Sequence, residues 1–307
     1  MINKNEEESG VSQKRVVYFN GEIVPESEAK ISFRDKGFLS GDAVFDVTRT
    51  FGKRIFKLQE HLDRYYDSLR YMRLDPGMPK DEMAKITMQV LEANLDYIGE
   101  NDDYWVAQRI SRGIPSENKP TVIIECAPLP FAVRAKFYKD GLPVITPSIR
   151  RTPPECMSPR AKVHNYINLI LADMEVKTQN PDALAVLLDM NGNLAEGSGA
   201  NFFIVKNGVV KTPKEQHVLA GISRATAIEL AEELNIEVQE TDLDLFDAYT
   251  ADEAFITSTS YCIVPVSSIN GSVIGNARIP GPITGRLQNA YSGLVGIDIV
   301  KQYLSYL

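Results

Sequence analysis

Hydrophobic and polar positions along the chain follow two regimes, short alternating runs and longer stretches with helical spacing. Residues 16–24 (VVYFNGEIV) predict two short strands around Asn20-Gly21, because Asn-Gly tolerates the left-handed backbone of a tight hairpin. Residues 34–42 (RDKGFLSGD) predict a loop rich in glycine and charge. Residues 43–49 (AVFDVTR) alternate like a strand, which Gly52-Lys53 turns into 54–58. Leu58, Leu62, Tyr65, Leu69 and Met72 share one helical face, so 58–72 predicts an amphipathic helix, with a second over 79–97. Residues 104–110 and 120–127 predict a strand pair joined by the polar loop 111–119.

Pro128, Pro130 and Gly141 sit among residues of mixed polarity and predict an interdomain connection over 129–141. The second half predicts a strand at 143–149, a proline-rich loop at 152–159, a helix at 165–178 and a buried strand at 183–189. A second hairpin is expected around Asn207-Gly208, a helix over 223–234, strands at 254–258 and 263–266, and a last regular helix over 282–292. The expected class is therefore α+β (α/β), with hairpins more evident than regular βαβ alternation. The expected domains are a disordered tail at 1–15, a small N-terminal α/β domain at 16–128 and a larger C-terminal domain at 142–307.

Composition narrows the classes. The 307 residues are 44% hydrophobic and 24% charged, as in ordinary soluble domains, and carry a formal net charge of −8. An acidic surface repels phosphate backbones, so no nucleic-acid partner is expected, and no apolar run predicts a membrane span. The three cysteines are widely spaced without a CxxC pair, and His61, His164 and His217 lack metal-ligand spacing, so no metal site is expected. The polar, acidic start lacks the pattern of a secretory signal, which makes the cytoplasm the expected compartment.

Five segments carry candidate chemistry. Lys162, between a loop and a helix, could lose its charge by desolvation and attack a carbonyl. Glu196, entering the Gly197-Ser198-Gly199 turn, could face a protonated ring nitrogen. Residues 218–224 (VLAGISR) lead into a helix whose Ile222 and Ser223 amides, with the Ser223 hydroxyl, could hold a phosphate. Ser258, Thr259 and Ser260 could add hydroxyl donors at a strand end, and Arg64, in HLDR, could grip the same phosphate. Each alone reads as an ordinary surface lysine, turn carboxylate, helix cap, turn hydroxyl or helix arginine.

Together these residues resemble one pattern. From about Val17 to Leu287, and most specifically in EGSGANFFIV (196–205) followed by LAGISR, the chain resembles the class IV aminotransferases. These are the fold-type IV pyridoxal-phosphate enzymes, which include branched-chain, D-amino acid and (R)-amine transaminases. The resemblance implies a small N-terminal α/β domain, a larger C-terminal pseudo-barrel domain and a homodimer. It implies pyridoxal 5′-phosphate as cofactor, with Lys162 as its covalent attachment point and Glu196, 34 residues later, beside the pyridine nitrogen. Arg64, Ile222, Ser223 and Thr259 would hold the phosphate, with Ser258 as neighbour, and Tyr166 would touch the phenolic oxygen. Phe45, Val47 and Ser260 would meet substrate. The implied reaction is ping-pong transfer from a hydrophobic or branched-chain amino acid, or an (R)-amine, to a keto acid. The partners would be these small molecules.

Several positions depart from the branched-chain pattern. Asn165 and Tyr166 stand three and four residues after Lys162, one closer than is common in branched-chain enzymes. Val47 stands where glycine is frequent there, and the loop 114–119 lacks the arginine and histidine that trap a carboxylate in D-amino acid enzymes. Arg49, Arg109 and Arg112 remain as candidate carboxylate ligands. The rival readings are a D-amino acid aminotransferase, a lyase resembling aminodeoxychorismate lyase, which needs no keto-acid acceptor, and a non-catalytic binder of vitamin B6.

Overall fold

The structure is a computed structural model that describes residues 14–307. Most of the expected N-terminal tail therefore lies outside the described residues. The chain forms two compact units, one running through Leu129 and taking in Ala161–Asn165, the other comprising Pro130–Arg160 and Tyr166–Leu307.

The first unit contains β1 (Val16–Phe19), β2 (Glu22–Pro25), α1 (Lys36–Ser40), β3 (Ala43–Phe51), β4 (Arg54–Ile55), α2 (Leu58–Tyr71), α3 (Lys80–Asn94), β5 (Tyr104–Ile114) and β6 (Lys119–Pro128). Its strands form one antiparallel sheet in the order β2-β1-β6-β5-β3-β4. The first hairpin turns where Asn20 and Gly21 take positive φ, as the sequence predicts. Residues 34–42 are not wholly loop. Asp35 accepts the Gly37 N–H at 2.7 Å and Gly41 closes the far end in the left-handed conformation, so five residues make one short helix. Helix α2 buries His61, Leu62, Tyr65, Ser68 and Leu69 on its inner face.

The segment 161–165 belongs to this unit because it pairs with β3. Val44 and Val163 bridge antiparallel, Phe45 N–H donates to the Lys162 carbonyl at 3.0 Å, and His164 N–H donates to the Ala43 carbonyl at 3.0 Å. In an extended segment alternate residues share a face, so Lys162 and His164 point the same way and Val163 is buried on the other side.

The second unit contains α4 (Phe131–Asp140), β7 (Leu142–Ile145), α5 (Ile167–Gln179), β8 (Leu184–Leu188), β9 (Leu194–Gly197), β10 (Ala200–Lys206), β11 (Val209–Thr212), α6 (Ile222–Glu233), β12 (Val238–Glu240), α7 (Leu245–Tyr249), β13 (Glu253–Ser258), β14 (Cys262–Ile269), β15 (Ser272–Val273), α8 (Pro282–Val295) and α9 (Ile299–Leu304). Its sheet runs β12-β11-β10-β13-β14-β7-β8-β9, and β9 pairs again with β10. That last pairing closes β10, β13, β14, β7, β8 and β9 into a ring, the expected pseudo-barrel. The buried runs LAVLL of β8 and ANFFIVK of β10 suit strands covered on both faces.

Two expectations fail here for the same reason. Residues 129–141 are not a linker, since most of them form α4, which buries Phe131, Ala135, Phe137 and Tyr138. Nor is the helix at 282–295 the last, because α9 follows it. Helices α4 and α9 pack on each other through aromatic side chains. Tyr138 stacks on Tyr303 at 4.4 Å, and Phe131 lies against Tyr303 at 4.8 Å and Tyr306 at 4.9 Å. Each short helix is stabilised by a partner far away in sequence, which local patterning does not show. Among the described residues no helix is long and apolar enough to cross a membrane, and no group of three or more side chains could hold a metal ion.

Candidate active site

In the first unit the chemistry gathers around β3. Half-buried Lys162 places its Nζ 4.5 Å from the centre of the Phe45 ring, a cation–π distance. Its backbone is fixed on both sides, for Phe45 takes its carbonyl and its own N–H donates to Ser68 Oγ at 3.0 Å. The Ser68 hydroxyl in turn donates to the Arg64 carbonyl at 2.9 Å, so one turn of α2 carries the arginine and braces the lysine. His164 meets Phe45 edge-on at 5.1 Å. Burial, with Arg109 and Lys162 nearby, pushes its imidazole down to about 4.

Behind this face lies a charged group that the sequence reading did not single out. Asp46 is fully buried and forms a side-on fork with Arg64, Nε to Oδ2 at 2.8 Å and Nη2 to Oδ1 at 2.7 Å. His61 Nδ1 lies 2.7 Å from Asp46 Oδ1, which as an acceptor selects the tautomer protonated on that nitrogen. Burial alone would raise the Asp46 carboxyl. Arg64 and His61 outweigh it and hold the group well below the usual carboxylate range. Burial also lowers the His61 imidazole, against the upward pull of Asp46. Removing one partner from such a buried pair costs about 3–5 kcal/mol. The only sequence signal was a charge in an otherwise apolar alternating strand.

Of the three arginines considered for a carboxylate, one stands beside Phe45. Arg49 is buried against Asp103 and the Thr50 carbonyl, and Arg112 clasps Asp42 and two carbonyls at the end of α2. Arg109 is half exposed, pairs with Glu125 at 2.7 Å and lies 5.4 Å from the Phe45 ring centre. Val47 follows Phe45 on the same face of β3 and is also half-buried.

In the second unit Glu196 lies in β9 and is buried. Arg151 Nε donates to its Oε1 at 2.7 Å and the Leu219 N–H to its Oε2 at 2.8 Å, which fixes the carboxylate plane. Arg151, in a proline-rich loop, is the second residue that sequence reasoning missed. Beside Leu219, Asn201 donates to the Leu219 carbonyl at 2.9 Å, and a Cβ on Gly221 would stand 2.1 Å from Asn201 Oδ1, so only glycine lets the chain pass. Gly221 leads α6 with no side-chain cap, which leaves the first amides, Ile222 and Ser223 among them, without a capping oxygen. Ser223 is buried. At the end of β13 the Thr257 hydroxyl is buried with no hydrogen-bond partner among the described residues.

Ser258 and Thr259 follow it and are half-buried, and Ser258 Oγ accepts the Tyr261 N–H at 3.1 Å. Ser260 is buried, and its carbonyl takes the Tyr303 hydroxyl. Tyr166 leads α5 and packs on the core between α5 and β8.

Comparison with known proteins agrees with this arrangement. The family model for amino-transferase class IV matches residues 43–269. A Methanocaldococcus jannaschii protein, whose branched-chain-amino-acid aminotransferase name is provisional, is 40% identical over 286 residues, covering 91% of this chain and 96% of its own. The crystal structure of the Escherichia coli branched-chain amino acid aminotransferase superposes with a TM-score of 0.86 at 30% identity, covering 92% of this chain and 95% of that one. A thermophilic (T.th.) branched-chain amino acid aminotransferase complexed with N-(5′-phosphopyridoxyl)-L-glutamate gives 0.83 at 31%, with the same coverage. The donor set here suits that coenzyme's chemistry: an amine on an apolar face, a buried carboxylate for a ring nitrogen, and uncapped helix amides with an unpaired buried hydroxyl for a phosphate. With the family model spanning most of the sequence and the fold shared along nearly the whole chain, this protein belongs to the class IV aminotransferases and is a pyridoxal-phosphate-dependent transaminase.

Proposed function

We propose that this chain takes the amino group from a branched-chain or other hydrophobic L-amino acid and passes it to a keto acid in two half-reactions. The observation that carries this reading is the apolar face on which Lys162 stands, with Phe45 beneath its amine and Val47 next along β3. The names of the most similar relatives support it. When bound, pyridoxal phosphate supplies an electron sink for charge developing at the substrate α-carbon. Lys162 is the attachment point and, once displaced by the incoming amine, moves the proton to and from that carbon. Glu196 presents a carboxylate to the ring nitrogen, its plane held by Arg151 and Leu219. Arg64, the amides of Ile222 and Ser223, and Thr259 with Ser258 hold the phosphate, Tyr166 contacts the ring, and Ser260 borders the substrate. Arg109 is the arginine best placed to meet a carboxylate near Phe45.

A second reading, (R)-amine donors, is favoured by the short Lys162-to-Tyr166 spacing, by Val47, and by the loop 114–119 without arginine. A donor panel decides. With 2-oxoglutarate as acceptor, L-leucine is expected to outpace D-alanine and (R)-1-phenylethylamine by about tenfold or more in kcat/KM. A preference for the amine reverses the assignment, and release of pyruvate without any acceptor would mark a lyase.

We infer further that the chain works as a homodimer. Ile167, Ile170, Leu171 and Met174 of α5 are all exposed and recur at one-turn spacing, a stripe that a second copy would cover. Met174→Glu is expected to shift the sedimentation coefficient to that of a monomer; an unchanged dimer would place the interface elsewhere.

A further inference from the structure

We propose that Asp46 is a positioning residue for the coenzyme phosphate, acting through Arg64; this rests on the reading that Arg64 grips that phosphate. The geometry is asymmetric. Asp46 is sealed at 0% exposure, while the Arg64 side chain keeps 10%. The acid is therefore the fixed member and the arginine the one that reaches outward. Asp46 occupies the Nε and Nη2 side of the guanidinium, so its plane is set and the Nη1 end is aimed away from the fork. The carboxylate's remaining capacity is filled by protein, by His61 Nδ1 at 2.7 Å and the Val47 N–H at 2.8 Å. Asp46 is thereby held from β3 and from α2 at once. The Arg64 main chain is held as well, since its carbonyl takes the Ser68 hydroxyl that also accepts the Lys162 N–H. The distance from the phosphate anchor to the reactive amine is thus set by one turn of helix, and Asp46 supplies the side-chain half of that setting.

Charge and position predict opposite signs for the loss of Asp46. If the acid merely cancelled part of the arginine's charge, Asp46→Asn would leave a stronger cation and tighten the hold on a phosphate dianion. If it positions the guanidinium, the same change weakens that hold although net charge becomes more favourable. Full-length protein stripped of coenzyme is titrated with pyridoxal phosphate and with pyridoxal, which lacks the phosphate.

For Asp46→Asn the Kd for pyridoxal phosphate is expected to rise by about 10- to 100-fold, the range for one charge-assisted contact, with pyridoxal binding changed by less than about twofold. In the Arg64→Gln background Asp46→Asn should add nothing further. Tighter binding of pyridoxal phosphate, an equal loss for both ligands, or full additivity with Arg64→Gln overturns the proposal. If Arg64→Gln itself leaves the preference for the phosphorylated ligand intact, the role of Arg64 fails instead. Asp46→Glu, which keeps the charge but moves the fork by one methylene, decides the matter if the asparagine variant does not fold. A selective loss for pyridoxal phosphate upholds positioning, and wild-type binding overturns it.

Discussion

Lys162→Ala is expected to remove transamination and covalent coenzyme attachment together. Half-buried Lys162 stands 4.5 Å above Phe45 with its backbone fixed by Ser68 and Phe45, so no other amine can take its place without moving β3. Losing both the attachment point and the proton carrier should lower kcat by roughly 10,000-fold or more. Alanine keeps the Lys162 backbone contacts and removes only the amine, so the fold should persist. Borohydride treatment followed by peptide mass analysis checks the attachment, and steady-state assay checks the rate. A labelled peptide from the alanine variant, or turnover near the parent rate, removes Lys162 from the mechanism.

The second large effect is expected at Glu196. Glu196→Gln keeps the shape but not the pattern of acceptors. The parent carboxylate receives Arg151 on one oxygen and the Leu219 N–H on the other. A glutamine amide offers one oxygen, so its NH2 must face one of those two donors. That mismatch, buried, should cost about 1–3 kcal/mol of stability. The ring nitrogen also loses its anionic partner, so proton loss from the substrate α-carbon should slow by about 100-fold or more, while pyridoxal phosphate is still retained. Single-turnover traces with α-deuterated leucine read that step directly, and thermal unfolding reads the first effect. Equal traces for the two proteins would show that Glu196 plays no part in proton abstraction.

The elements that were legible in sequence are those whose cause is local. Both Asn-Gly hairpins form where Asn20, Gly21, Asn207 and Gly208 take positive φ, and α2 follows its apolar spacing nearly to the residue. The elements that were not legible have distant causes. Helix α4 begins after Pro130, in a stretch punctuated like a linker, and is stabilised by Tyr303 and Tyr306 at the C-terminal end of the chain. The closure of β9 on β10 leaves no mark in either strand's pattern. The reacting side chains were legible because motif order names them. The side chains that brace them were not. Asp46 sits silently in an alternating strand, and Arg151 in a loop that reads as mere punctuation. The shortened spacing after Lys162 pulled the substrate reading towards amines, whereas the similar chains of known name are branched-chain enzymes. In the structure that spacing places Tyr166 at the head of α5, packed on the core between α5 and β8.

The seam that closes the barrel has only two register pairs, Ala200 with Gly197 and Asn201 with Glu196, and a tight turn at Ser198 and Gly199 joins its strands. Side chains of a strand alternate between its faces, so a slip of one position here would swing the acid from one side of the wall to the other. What prevents it is the small turn. Gly199 adopts φ +118, Ser198 Oγ ties to Asp173 at 2.7 Å, and the Ser198 N–H ties to the Ala185 carbonyl at 3.1 Å. The handedness of a few peptide units, rather than any attraction for a ligand, therefore decides which side of the barrel wall carries the negative charge.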